Sequence, residues 1–153
     1  AEASAEVGTF AHGYTFSGHP VAAAVGLKAL EIYEREKIFE KVAALSPHFQ
    51  RCLQSFADHP LVGEARGVGM IGAVELVASK STKKEFEPLG RAGQYCLARC
   101  QANGLIVRAI GDVLAFCPPL IVSDDEVGEI FDRFGRSLDE TLDWAVREGL
   151  VSN

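Results

Sequence analysis

Apolar residues recur at spacings of three and four in four stretches of the chain, and each reads as a helix. The first opens at Pro20, where a missing N–H costs nothing because the donors of a first turn are unpaired anyway. It runs through strong helix formers to Arg35, with Val21, Val25, Ala29, Ile32 and Tyr33 along one side. Its first half, Ala22, Ala23, Ala24 and Gly26, is thin, which suits a helix buried between domains or subunits. The second pattern covers residues 37 to 57 through Ile38, Val42, Leu45, Phe49, Leu53 and Phe56, and Pro47 predicts a kink or a break after Ser46. A third runs from Leu89 to Ala102, with Leu89, Ala92, Cys96, Leu97 and Cys100 on one face, and Asn103-Gly104 stops it. The last begins at a capping box, Ser123 with Glu126, and carries Val127, Ile130, Phe131, Phe134, Leu138 and Leu142 before ending near Gly149.

Between these stretches the pattern changes. Gly67 to Val77 is nearly continuous in apolar and β-branched residues and reads as one strand. Leu105–Ile110 and Val113–Phe116 read as two short strands joined at Gly111-Asp112, and Pro118-Pro119 ends the second. The charged stretch from Ser79 to Glu85 reads as a solvated loop. Strands and helices that do not strictly alternate predict an α+β layer, a small and mostly antiparallel sheet with helices on one face.

Composition narrows the function classes. The 153 residues are enough for one domain with a short piece of a second, and a hydrophobic content of 48% supplies a core. A net charge of −6, with acids and bases interspersed, lacks the basic face that nucleic-acid binding needs. No apolar run reaches bilayer length and no basic-then-apolar leader opens the chain, so a cytoplasmic protein is expected. Cys52, Cys96, Cys100 and Cys117 form no C-x-x-C pair, so reduced and partly buried thiols are expected. A zinc site using them with His48 or His59 has no supporting ligand spacing, and no metal is expected. The chain opens without Met in a segment dense with specific-looking residues, where termini are usually loose and polar; a fragment is expected.

Three local features bear on chemistry. The loop His12-Gly13-Tyr14-Thr15-Phe16-Ser17-Gly18-His19-Pro20 leads straight into a helix. Hydroxyls and orphan N–H groups at a helix N-terminus suit a phosphate, and equally Ser17 or a neighbour simply caps the helix. Arg108 sits in an apolar strand, where its planar fork suits a carboxylate; alternatively it faces solvent on an edge strand or pairs with Asp112. Arg66-Gly67-Val68-Gly69 reads as a buried turn in which Arg66 satisfies nearby carbonyls. The four histidines form no acid–base constellation with a serine and an aspartate.

Taken in order, HGYTFSGHPVAAAVGLKALEI, HPLVGEARGVGMIGAVELV and GLIVRAIGDVLAFCPPLIVSDDEV resemble the C-terminal third of class III (omega-transaminase-like) aminotransferases, from Phe10 to Leu142. The resemblance implies the small C-terminal domain of the type I pyridoxal-phosphate fold. Residues 1 to 35 would be the tail of the large cofactor-binding domain with a connecting helix, and residues 36 to 153 the small domain. By position, Thr15 matches the threonine that binds the cofactor phosphate of the neighbouring subunit, and Tyr14 the aromatic residue beside it. Arg108 matches the mobile arginine that binds a substrate carboxylate. The implied cofactor is pyridoxal 5'-phosphate, the implied substrates an amine or ω-amino acid and a keto acid such as pyruvate, and the implied assembly a homodimer or higher with the site at the subunit interface.

The chemistry also needs a lysine that holds the cofactor covalently and an acid on its ring nitrogen. Lys28, Lys37, Lys41, Lys80, Lys83 and Lys84 do not match that lysine, which precedes the threonine loop in the family. No catalytic residue is therefore expected in this chain, and alone it is expected to be inactive. A decarboxylase or aminomutase of the same family, and a free-standing interaction module derived from the end domain, are the alternatives.

Overall fold

The computed structural model describes residue 8 and residues 13–151. The chain divides into two compact units, Ala1–Lys37 and Ile38–Asn153.

In the first unit, helix α1 spans Pro20–Arg35, with proline in its first turn as the sequence predicts. None of its residues is buried; Val21, Val25, Leu27 and Leu30 are all exposed.

The second unit begins with α2, Ile38–Gln54, followed by a 3-10 turn over Ser55–Asp58. Strands β1 (Val62–Val68) and β2 (Ile71–Leu76) come next, then α3 (Arg91–Ala102), β3 (Arg108–Ile110), β4 (Val113–Phe116) and α4 (Asp124–Arg147). The four strands form one antiparallel sheet in the order β1-β2-β4-β3. Gly72, Val74 and Leu76 of β2 and Leu114 and Phe116 of β4 turn inward to the helices, and the other face is left open. The α+β layer with helices on one face is therefore what the chain adopts.

Two readings of the pattern need correction. The break that Pro47 suggests after Ser46 does not occur, because the helix continues through Pro47. An interior proline costs about 3 kcal/mol, but Phe49 and Leu53 on the following turns are fully buried, and burial of each contributes about 1.5–3 kcal/mol. Ser46 Oγ also donates to Val42 O at 2.6 Å in the turn where the proline supplies no donor. Packing outweighs the local defect. The stretch from Gly67 to Val77 is not one strand: it holds the end of β1, a turn at Gly69-Met70 with Gly69 at φ 59°, and β2. Continuous apolarity hid the turn, because Met70 is itself buried in the core.

The core joins α2, α4 and the sheet through aromatic rings. Phe134 meets Phe56 at 5.0 Å and Phe116 at 4.9 Å between ring centroids, both edge-on, while Phe131 meets Phe49 at 5.1 Å. Helix α3 packs against α4 through a Tyr95–Trp144 stack at 4.2 Å, with the Arg91 guanidinium 5.3 Å from the Trp144 ring. Leu89, placed on that helix's core face by its spacing, lies before the helix and is exposed. The Ser123–Glu126 capping box forms in full and starts α4. Ser123→Ala is expected to lower stability by about 1 kcal/mol; an unchanged midpoint in denaturant titration would show the cap to be dispensable.

Candidate functional site

The loop before α1 is a tight turn. Ser17 N donates to Tyr14 O at 2.9 Å, and Ser17 Oγ accepts from Tyr14 N at 2.8 Å. The helix cap is His19, whose Nδ1 accepts from Ala22 N at 3.3 Å, so Ser17 is spent on the turn and not on the helix. Thr15 lies at the outside of this turn, exposed, and neither its hydroxyl nor its N–H has a hydrogen-bond partner among the described residues. Tyr14 and Phe16 beside it are 74% and 77% exposed. A free hydroxyl and N–H, on a turn closed by its own hydrogen bonds and next to a helix N-terminus, fit a phosphate group. His12 lies outside the described residues.

In the second unit, Arg108 stands on the edge strand β3. The ladder pairs Arg108 with Ala115, Ala115 with Ala73 and Ala73 with Arg66, so these four residues make one row across the open face of the sheet. The two arginines at its ends differ in their partners. Arg66 Nη1 donates to Glu75 Oε2 at 2.7 Å and to Glu64 Oε2 at 3.0 Å. The Glu75 hydrogen bond foremost holds the Arg66 guanidinium even more firmly protonated than usual. Arg66 is thus an exposed sheet residue paired to two acids, not the carbonyl-satisfying residue of a buried turn. Arg108 is exposed and makes no ion pair among the described residues.

Its possible partner Asp112 is engaged elsewhere. The Asp112 carboxylate is buried and accepts from Gly90 N and Gly93 N, both at 2.7 Å. It closes the N-terminus of α3, where Gly90 supplies no capping side chain. The β3–β4 turn that follows Arg108 is therefore pinned to a helix. The sequence offers Asp112 as a turn residue and as a partner for Arg108, and nothing local marks a cap delivered from 19 and 22 residues away. A groove of about 900 Å³ between Lys80, Leu142 and Val146 does not include Arg108. That groove is lined by Asp58 and Asp143 as well as by Lys80 and Arg147.

Comparison with known proteins defines the class. The fold is similar to that of part of a crystallised omega transaminase from Pseudomonas jessenii in complex with PMP, with a TM-score of 0.82 and 50% identity over 94% of this chain and 32% of that one. A further solved protein, a transaminase with L-ala, matches at a TM-score of 0.82 and 44% identity over 92% of this chain and 33% of that one. Among curated proteins, the putrescine–pyruvate aminotransferase of Pseudomonas aeruginosa is 49% identical over 135 residues, which is 88% of this chain and 29% of that protein. The mitochondrial gamma aminobutyrate transaminase 1 of Solanum lycopersicum is 44% identical over 138 residues, 90% of this chain and 27% of that protein.

The family model for aminotransferase class-III matches residues 1–138, and the chain belongs to that family. It spans less than a third of the length of the curated relatives it matches here. Class III aminotransferases use pyridoxal phosphate.

Proposed function

We propose that this chain is the C-terminal part of a pyridoxal-phosphate-dependent omega-transaminase that moves an amino group from an amine or ω-amino acid to a keto acid such as pyruvate. The observation that carries the reading is the contrast on the open sheet face. Arg66 is neutralised by two acids, while Arg108 in the same row has none among the described residues. A guanidinium without a counter-ion among the described residues, opposite the short side chain of Ala115 on the same face, is accessible to a substrate carboxylate. Pyridoxal phosphate, when bound, supplies the electron sink for the amino-group transfer. Thr15 holds its phosphate through the hydroxyl and the N–H, and Tyr14 lines the same site.

Residues 1–35 belong on this reading to the cofactor-binding domain and residues 36–153 to the small domain. The protein works in the cytoplasm as a homodimer, or higher, with Thr15 serving the neighbouring subunit's cofactor. No helix of the described residues is long and apolar enough to cross a membrane. The six lysines are all exposed, whereas a lysine that reacts covalently with a cofactor is tuned by desolvation. The reactive lysine therefore comes from outside this chain, and the chain alone does not turn over.

Titration of the complete protein with pyridoxal phosphate tests the cofactor side. Thr15→Ala is expected to weaken binding about tenfold, the loss of one charge-assisted hydrogen bond, and Thr15→Ser to keep most of it. Equal affinity in Thr15→Ala and wild type would remove Thr15 from the phosphate site.

A further inference from the structure

Away from Thr15 and Arg108, a cysteine, a histidine and an aspartate stand in a line. Cys52 and His48 are one turn apart on α2, and Cys52 Sγ lies 3.3 Å from His48 Nε2. The other ring nitrogen, Nδ1, is 3.5 Å from Asp124 Oδ1 in the first turn of α4. His48 and Cys52 are both partly buried and Asp124 is exposed. A proton on Nδ1 faces the carboxylate, which leaves the Nε2 lone pair to accept from the thiol. Nucleophile, base and orienting acid are in contact order. We propose that Cys52 is a base-assisted thiol, a modification site for small disulfides that nothing in the transaminase reaction uses.

The small disulfide is itself the oxidant, and the step balances. His48 Nε2 takes the thiol proton as Cys52 Sγ attacks one sulfur of the small disulfide. A new S–S bond forms, the old one breaks, and the departing thiolate recovers the proton from His48. The protein gains a mixed disulfide and one small thiol is released.

The surroundings make the base necessary. Burial foremost pushes the Cys52 thiol up, Asp124 and Asp132 on α4 add to this, and Arg51 beside it on α2 opposes it. Little free thiolate is therefore available at neutral pH, and without His48 the group would be sluggish. The chain holds its own comparison in Cys117, which is exposed, while Cys96 and Cys100 are buried. Cys96 is further quenched by its hydrogen bond with Cys100 and by burial, which together hold its thiol far above the ordinary range.

The test follows release of thiopyridone from 4,4'-dithiodipyridine at neutral pH, with Cys52 observed in Cys117→Ser protein and Cys117 in Cys52→Ser protein. Cys52 is expected to react at least as fast as Cys117 despite its lesser exposure. His48→Gln should slow Cys52 by about tenfold or more, the low end of general-base effects, and leave Cys117 unchanged. Free imidazole should restore the Cys52 rate in His48→Ala, which separates a missing base from a disturbed helix. The proposal is overturned if Cys52 is slower than Cys117 with His48 in place, if His48→Gln leaves its rate unchanged, or if imidazole restores nothing.

Discussion

Gly93→Ala is expected to be among the most destabilising single-methyl changes in the chain, at about 3 kcal/mol, the upper end of overpacking costs. A Cβ built on Gly93 would lie 2.1 Å from Gly111 O and 2.9 Å from Asp112 Cα, both backbone atoms of the β3–β4 turn. Backbone cannot rotate away as a side-chain end can, so α3 and the turn must separate. Separation also breaks the two hydrogen bonds from Gly90 N and Gly93 N to the Asp112 carboxylate and leaves that buried acid unsatisfied. Gly128→Ala is the control. It lies inside α4 with nothing within 4 Å of its would-be Cβ, and the change should be neutral or stabilising by up to about 1 kcal/mol. Urea titration of the two variants checks this; similar midpoints would mean that the helix is not seated on the turn as closely as the geometry says.

Arg108→Ala in the complete protein should raise KM for pyruvate and for an ω-amino acid by about thirtyfold, equivalent to about 2 kcal/mol for a lost charge-assisted pair. An amine without a carboxylate should keep its KM, because the guanidinium has nothing to hold there. Arg108→Lys should recover only part of the loss, since an ammonium cannot offer two parallel N–H donors. Steady-state kinetics with both donor types would show the split. Equal losses for charged and uncharged donors would assign Arg108 to the fold instead.

Much of this was readable in the sequence because local chemistry and packing agree. Pro20, the Ser123–Glu126 box and the Gly111-Asp112 turn mark their boundaries in short-range signals, and the structure places them there. Disagreement arose where distant packing decided. Pro47 stays inside a helix because Phe49 and Leu53 are buried, and the Gly69-Met70 turn is masked by a buried methionine. At the candidate site, the fork of Arg108 was legible as a residue type, but its lack of a counter-ion depends on Asp112 being taken by α3. The pairing of Arg66 with Glu75 was not legible, since the two face each other only through the β1–β2 hairpin. His48 and Cys52 share a helix face by spacing, but Asp124 joins them only through the packing of α2 and α4.

The most direct measurement is product analysis of the complete protein loaded with pyridoxal phosphate and given an amine with pyruvate. One alanine formed for each amine consumed, with no activity from the 153-residue chain alone, is the expected result. Amine loss with release of carbon dioxide and no alanine, or alanine formation by this chain by itself, would contradict the account.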